Sequence, residues 1–172
     1  MNKGLFLDRD GVVNFDYKYV CKIENFKFRP EIFNICKIGI HLDFKIIVIT
    51  NQSGIGQELF SDKDFHVLNN HMLDIFKIQG IKITDVYYCP YHPSKGKGIF
   101  LNDSFDRKPK PGMILKASKK HQINLNKSLM VGDSNSDYQA SINSNIKYYV
   151  DAKKESWDTY CISLMKKISK SR

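Results

Sequence analysis

Short apolar segments alternate with longer amphipathic segments along most of the chain. The short segments are rich in β-branched and aromatic residues, which is typical of buried strands. They predict strands at residues 3–7, 45–50, 85–89, 128–132 and 147–150. Strands that alternate with helices form a parallel sheet with helices on both faces. The pattern therefore predicts an α/β protein, a Rossmann-like three-layer α/β/α sandwich around a central parallel sheet.

The amphipathic segments predict helices at residues 30–42, 61–79, 110–122 and 136–144, and the tail predicts a last helix at 153–172. Pro30 suits a first helical turn, because that position needs no backbone N–H donor. Ser61 offers an N-cap. Asp62 and Asp64 follow it in the first turn, where the helix dipole favours negative charge.

Residues 90–112 interrupt this alternation, since they show no periodicity and contain four prolines and three glycines. A loop of this length inside a compact domain is usually functional. It is too short for a full cap domain, so we expect an open site whose substrate choice depends on a few loop side chains. With no repeat or linker in the sequence, we expect a single domain over residues 1–172 with a loop insertion at about 90–112.

Composition is that of an ordinary globular protein, with 42% hydrophobic and 26% charged residues. No segment is apolar for long enough to span a bilayer, and the N-terminus lacks a signal-peptide pattern. The four cysteines are scattered without the spacing of a disulfide framework. We therefore expect a cytoplasmic protein with reduced thiols, monomeric and without a membrane partner.

The formal net charge of +9 would attract nucleic acid, a membrane surface or a small anionic substrate. Many of the cations lie on predicted helices, where solvated lysines are common. No basic groove interleaved with aromatic residues is visible, so we expect no nucleic-acid partner.

Two carboxylates follow the first predicted strand, in the segment Asp8-Arg9-Asp10-Gly11. In open α/β sheets, ligands bind beyond the carboxyl ends of the strands. There one of the two aspartates could act as a nucleophile while the other handles protons, with a divalent cation screening the two.

Three further segments contain candidate binding or catalytic residues next to predicted strands or helices. Residues 50–56 combine hydroxyl, amide and glycine donors suited to a phosphate. Residues 107–112 put cations ahead of a helix, and residues 131–137 follow a strand with a glycine and carboxylates. Each segment alone is compatible with a turn, a helix cap or a solvated surface. Together, in this order and at the ends of alternating strands, the four segments are hard to obtain by accident.

These four segments resemble motifs I to IV of the haloacid dehalogenase-like phosphatases, over about residues 3–150. The longer matches at 8–14, 50–55, 89–93 and 107–113 resemble the D-glycero-D-manno-heptose 1,7-bisphosphate 7-phosphatases and the related histidinol-phosphate phosphatases.

The resemblance implies roles for the catalytic residues. Asp8 would form an aspartyl-phosphate, and Asp10 would act as general acid and then as general base. Thr50 and Lys108 would stabilise the transferring phosphoryl group. Mg²⁺ would be held by the carboxylates of Asp8 and Asp133 and by the backbone carbonyl of Asp10.

It also implies a set of substrate-binding residues. Arg107 would hold the remainder of the substrate, with its second phosphate as a candidate, through bidentate hydrogen bonds. The other expected substrate contacts are Asp16, Tyr19, Asn51, Gln52, Ser53 and Ser134.

The chain departs from the family at a structural zinc site. Many of these phosphatases hold zinc in the long loop through a Cys-x-His pair and a Cys-x-Cys pair. The corresponding segments here are Cys-Pro-Tyr at 89–91 and Ser-Phe-Asp at 104–106, so only Cys89 remains and we expect no zinc. We expect instead that the loop is held by packing of its aromatic residues, Tyr91, Phe100 and Phe105.

A second departure is Ser134, where these phosphatases often carry a lysine. Ser134 still offers one hydrogen bond but no charge, and Lys110 is a candidate to compensate for it.

The resemblance implies a Mg²⁺-dependent phosphatase that removes the 7-phosphate of D-glycero-D-manno-heptose 1,7-bisphosphate, in the synthesis of nucleotide-activated heptose for surface polysaccharide. Histidinol-phosphate phosphatase, or another small phosphomonoesterase, is the alternative activity. A non-catalytic phosphosugar-binding protein is the alternative of a different class. Against it stands the presence of both Asp8 and Asp10, since binding alone does not require two carboxylates.

Overall fold

The computed structural model of the protein describes residues 1–170. The predicted last helix was extended to residue 172, so its final two positions lie outside the described residues. Five parallel strands form one sheet in the order β3-β2-β1-β4-β5. The strands are β1 (Lys3–Leu7), β2 (Phe44–Asn51), β3 (Asp85–Cys89), β4 (Leu129–Gly132) and β5 (Tyr148–Asp151). The predicted strands and the parallel sheet are confirmed.

The helices follow the predicted alternation, with one short addition. They are α1 (Glu31–His41), α2 (Ser53–Gly56), α3 (Asp62–Ile78), α4 (Gly112–His121), α5 (Asn135–Asn143) and α6 (Trp157–Lys170). The predicted cap of α3 is confirmed as a capping box. The Ser61 hydroxyl accepts from the Asp64 backbone N–H at 3.1 Å, and the Asp64 carboxylate accepts from the Ser61 N–H at 2.8 Å. Within residues 1–170, no helix is both long and apolar enough to cross a membrane.

Helices cover both faces of the sheet, because side chains alternate along each strand. Leu5 and Leu7 of β1 belong to a large hydrophobic cluster with residues of α1, α3 and α6. Phe6, between them, belongs to a second cluster with residues of α4 and α5. The three-layer sandwich predicted from the sequence is thereby confirmed.

The long loop is held partly by aromatic packing. The rings of Tyr91 and Phe100 lie 5.7 Å apart, and Phe100 packs against the small cluster around Ile55. The prediction for Phe105 is wrong, since 59% of that residue is exposed. Main-chain bonding fixes this part of the loop instead: the Gly112 N–H donates to the Phe105 carbonyl at 3.0 Å.

Asp85 ties the edge strand β3 to the end of α4. Its Oδ2 atom lies 2.8 Å from Lys120 Nζ and 2.9 Å from His121 Nε2. Burial acts to raise the pKa of Asp85, but hydrogen bonds from Lys120 and His121 outweigh it and lower that pKa to about 2. A carboxyl group with a depressed folded pKa stabilises the protein above its unfolded pKa, and this stability is lost as the pH falls toward the folded pKa.

We expect Asp85→Asn to lower the free energy of unfolding by about 1 kcal/mol at pH 7, a value reduced for solvent screening. The difference from wild type should shrink below about pH 4 and be lost as the pH falls through the folded pKa of about 2. Urea unfolding at several pH values measures it. Asp74→Asn, at an exposed position on α3, is the control and should change little. A difference that stays constant across this pH range would contradict the prediction.

Candidate active site

The four segments singled out in the sequence meet at the carboxyl ends of the central strands. The Lys108 side chain contacts residues in or next to the other three segments and is buried, with only 3% of the residue exposed. Its Nζ atom lies 2.8 Å from Asp8 Oδ1 and 2.6 Å from Asp137 Oδ1, and it donates to the Ile49 carbonyl at 3.1 Å. A lysine from the long loop therefore lies between carboxylates that follow β1 and β4.

Three carboxylates form a compact group beside this lysine. Oxygen atoms of Asp8, Asp133 and Asp137 all lie within 4.8 Å of one another. Lys108 is the buried cation among them, while Lys153 lies 3.5 Å from Asp133 and is itself 67% exposed. The group therefore has an excess of negative charge and offers oxygen ligands from three side chains. These are the properties that Mg²⁺ requires of a protein site.

Burial and the neighbouring opposite charges shift the pKa values of these groups in opposite directions. Burial raises the pKa of Asp8 well above its usual value, and Lys108 opposes this effect. Burial also acts to raise the pKa of Asp137, but Lys108 and the hydrogen bonds from Ser134 outweigh it and lower that pKa. The two carboxylates in turn outweigh the burial of Lys108 and raise the pKa of its ammonium group. Lys108 is therefore held firmly in its charged form.

The Asp10 carboxylate is held by three side chains. Arg9 Nη2 donates to Oδ2 at 2.9 Å, Asn14 Nδ2 donates to Oδ1 at 3.0 Å, and Gln52 Nε2 donates to Oδ2 at 3.0 Å. The same Gln52 nitrogen lies 2.8 Å from Thr50 Oγ1. Asp10 and Thr50, which come from different strand ends, are thus linked through one amide.

An open cavity of about 480 Å³ adjoins Asp10. It is lined by Asp10, Asp16, Lys18, Tyr19 and residues 51–54. The structure therefore brings together five of the residues that the sequence analysis assigned to the substrate. We call this space the recognition cavity.

Comparison with known proteins identifies the family. A family model described as haloacid dehalogenase-like hydrolase matches residues 98–150. D-glycero-alpha-D-manno-heptose-1,7-bisphosphate 7-phosphatase of Burkholderia mallei is 46% identical over 139 residues, which are 81% of this chain and 74% of the relative. The chain belongs to the heptose 1,7-bisphosphate 7-phosphatase family.

Other members of this family are similar to the chain as well. D-glycero-beta-D-manno-heptose-1,7-bisphosphate 7-phosphatase of Helicobacter pylori is 41% identical over 147 residues, covering 85% of this chain and 81% of the relative. The crystal structure of D,D-heptose 1.7-bisphosphate phosphatase from B. bronchiseptica, complexed with magnesium and phosphate, has a TM-score of 0.79. It covers 96% of this chain and 99% of that chain, at 22% identity, and shows that the fold is shared.

Asn51 has a structural contact that the sequence pattern did not reveal. Its Nδ2 atom donates to the Lys108 carbonyl at 3.0 Å, and its Oδ1 atom accepts from the Lys108 N–H at 3.0 Å. Both amide atoms are therefore engaged in holding the backbone of Lys108. Ser53, which also lines the recognition cavity, accepts a hydrogen bond from Gln57 at 3.1 Å.

Ser134 serves as the N-cap of α5. Its hydroxyl donates to Asp137 Oδ2 at 2.6 Å, and the Ser134 N–H donates to the same oxygen at 3.1 Å. The hydroxyl is thus used within a capping box, which differs from the substrate contact assigned to it from the sequence. The suggestion that Lys110 compensates is wrong, because its Nζ atom pairs with Asp103 at 2.6 Å.

Arg107 lies outside the lining of the recognition cavity, and its Nη1 atom donates to the Tyr91 carbonyl at 3.1 Å. Cys89 is fully buried in the second hydrophobic cluster. The absence of zinc stays a prediction.

Asp137, Arg9 and Asn14 also belong to the site, although the sequence pattern did not lead to them as site residues. Asp137 had a readable signal, since it follows Ser134 at the spacing of a capping box. It also lies one helical turn beyond Asp133, which brings the two carboxylates to the same end of α5.

Gly11 provides a test of the carboxylate group, because a Cβ atom there would lie 2.4 Å from Asp133 Oδ2. We expect Gly11→Ala to displace Asp133 and to weaken Mg²⁺ binding by about 10-fold or more, as measured by titration calorimetry. Gly80→Ala is a matched control, since Gly80 also has a positive φ but has no atom within 4 Å of the added Cβ. Equal Mg²⁺ affinity in the two variants would argue against the assignment of Asp133.

Proposed function

We propose that this chain is a Mg²⁺-dependent phosphatase that removes the 7-phosphate of D-glycero-D-manno-heptose 1,7-bisphosphate through an aspartyl-phosphate at Asp8. The observation that carries the proposal is the position of Lys108, buried between Asp8 and Asp137 at the carboxyl end of the sheet. A fixed cation beside a carboxylate nucleophile is what a transferring phosphoryl group requires.

In the first step, an Asp8 carboxylate oxygen attacks phosphorus, and the bond from phosphorus to the sugar oxygen breaks. Asp10 gives its proton to the departing oxygen. In the second step, Asp10 takes a proton from water, and the water oxygen attacks phosphorus. The bond to Asp8 breaks, which releases inorganic phosphate and restores the carboxylate. Gln52 suits this exchange because it holds Asp10 beside Thr50, whose hydroxyl stabilises the phosphoryl oxygens.

The carboxylates of Asp8, Asp133 and Asp137 would hold Mg²⁺. The Asp10 carbonyl would be a further ligand, as the resemblance to the family implies. When bound, Mg²⁺ neutralises the negative charge of the phosphate and of the carboxylates. Asp137 acts mainly through Lys108, which it keeps charged and in place.

The names of the relatives support a heptose bisphosphate as substrate, and they include both the alpha and the beta anomer. The product would enter the synthesis of nucleotide-activated heptose for surface polysaccharide. We place this reaction in the cytoplasm, in agreement with four cysteines that are free thiols. A monomeric state without a membrane or nucleic-acid partner stays a prediction.

The test is phosphate release by the purified protein with Mg²⁺. The substrates are both anomers of heptose 1,7-bisphosphate, histidinol phosphate and a 3′-phosphorylated oligonucleotide. We expect the highest kcat/KM on a heptose bisphosphate, with phosphate lost from position 7, and loss of activity when Mg²⁺ is chelated. A higher kcat/KM on histidinol phosphate would replace the proposed substrate. Absence of turnover on every substrate would favour a non-catalytic phosphosugar-binding protein.

A further inference from the structure

Lys108 is attached to the end of β2 at two points. Its ammonium group donates to the Ile49 carbonyl at 3.1 Å, and its backbone N–H and C=O are both bonded to the Asn51 side chain at 3.0 Å. Ile49 and Asn51 are two positions apart on β2, which is itself hydrogen-bonded to β1 and to β3. The sheet therefore holds Lys108 both at its backbone and at the tip of its side chain.

Asn51 is the partner of both backbone polar groups of Lys108. Within residues 1–170, neither the Lys108 N–H nor its C=O is hydrogen-bonded to another backbone group. The following residue, Pro109, has no N–H with which to anchor the chain. Backbone groups of a buried residue are costly to leave without a partner. The position of the Lys108 backbone therefore depends directly on the Asn51 amide.

The backbone position matters because a lysine side chain does not fix its own ammonium group. The four-carbon stem is flexible, so the charge is placed reliably when the backbone is held as well. The Lys108 ammonium group lies 2.8 Å from Asp8 Oδ1 and 2.6 Å from Asp137 Oδ1. A displacement of about 1 Å in a catalytic group lowers a rate by about 100-fold. A small shift of the Lys108 backbone is therefore enough to slow the reaction.

We propose that Asn51 is a positioning residue, which acts on the reaction through Lys108 and not through a contact with the sugar. This inference rests on the proposed function. Asn51 also lines the recognition cavity, but both polar atoms of its side chain are already bonded to Lys108. Without the Asn51 amide, the Lys108 ammonium group is displaced from the place where it stabilises the phosphoryl oxygens. The loss falls on the chemical step and not on binding of the sugar.

The experiment measures kcat and KM of Asn51→Ala on heptose 1,7-bisphosphate and on p-nitrophenyl phosphate, a monophosphate without a sugar. We expect kcat to fall by about 10- to 100-fold, by the same factor on both substrates, with KM within about 3-fold of wild type. Asn51→Asp keeps the shape of the side chain and one of its two bonds. It replaces Asn51→Ala if that variant does not fold, and it should also lower kcat on both substrates.

A double variant tests whether Asn51 acts through Lys108. In Lys108→Met, the ammonium group that Asn51 positions is gone. Adding Asn51→Ala to that variant should therefore lower kcat by less than about 2-fold.

Asn143→Ala is the matched control. Asn143 is an exposed asparagine whose Nδ2 atom donates to the Pro109 carbonyl at 2.9 Å, so it holds the residue next to Lys108. Its removal leaves both bonds between Asn51 and Lys108 intact. The kcat of this variant should stay within about 2-fold of wild type.

Four results would overturn the inference: an unchanged kcat in Asn51→Ala, a rise in KM confined to the heptose bisphosphate, an equal loss in Asn143→Ala, or a further large loss in the double variant. A wild-type protein that hydrolyses p-nitrophenyl phosphate but no heptose bisphosphate refutes the sugar substrate, while the role of Asn51 is still decided on p-nitrophenyl phosphate. A wild-type protein that hydrolyses neither refutes both the proposed function and this inference.

Discussion

Asp8→Asn should reduce phosphate release by about 10⁴-fold or more while the protein stays folded. The amide has nearly the shape of the carboxylate, but it lacks the anionic oxygen that attacks phosphorus. Lys108 keeps its contact with Asp137, so the buried cation is not left alone. Single-turnover phosphate release and thermal unfolding of the variant measure the two parts of this expectation.

Asp103→Asn is a suitable control, because Asp103 is a loop carboxylate that is 67% exposed and pairs with Lys110. It should retain activity within about 2-fold of wild type. If Asp8→Asn kept the wild-type rate, the aspartyl-phosphate mechanism would be wrong.

Lys108→Met should have the largest effect on stability. The substitution leaves the buried carboxylates of Asp8 and Asp137 without their shared cation. Breaking a buried ion pair from one side costs about 3–5 kcal/mol. Activity should fall by about 10³-fold, as expected when a group that stabilises the phosphoryl oxygens is lost. Urea unfolding at pH 7 and phosphate release measure the two effects.

Two further measurements, with Mg²⁺ and with a second substitution, distinguish the broken ion pair from a loss of packing as the reason for the lower stability of Lys108→Met. Mg²⁺ should stabilise Lys108→Met more than it stabilises wild type, since the variant offers the ion more uncompensated negative charge and a ligand that binds only the folded state stabilises it. Adding Asp137→Asn should also recover stability, because it removes one of the uncompensated charges. A double variant less stable than Lys108→Met alone would contradict the electrostatic explanation.

The sequence predicted the strands and helices closely because their hydrophobic periods are regular. It missed α2, which spans only Ser53–Gly56 and is too short for a helical period to be read. The candidate site residues Asp8, Asp10, Thr50 and Asp133 could be predicted because each lies at or just beyond a strand end, and Lys108 because it lies in the cationic segment ahead of α4.

Contacts between segments that are far apart in the sequence could not be predicted from the sequence. Asn51 lies 57 positions from Lys108 in the sequence, and only the folded chain shows that its amide holds the Lys108 backbone. Ser134 was assigned to the substrate because of its position, whereas local hydrogen bonding commits its hydroxyl to Asp137. The aromatic side chain of Phe105 predicts packing within the long loop, whereas backbone hydrogen bonding determines its place.

The central position of β1 in the sheet has a consequence for the dynamics of the site. Both edges of β1 are hydrogen-bonded to neighbouring strands, and the Asp8 N–H is bonded to the Val131 carbonyl at 3.0 Å. Local opening starts at frayed edges and loops, so we expect the amides around Asp8 to be among the slowest to exchange. The turn at residues 16–20 is held by side-chain hydrogen bonds instead, so we expect its amides to exchange faster. Substitutions in that turn should therefore leave the backbone of Asp8 in place.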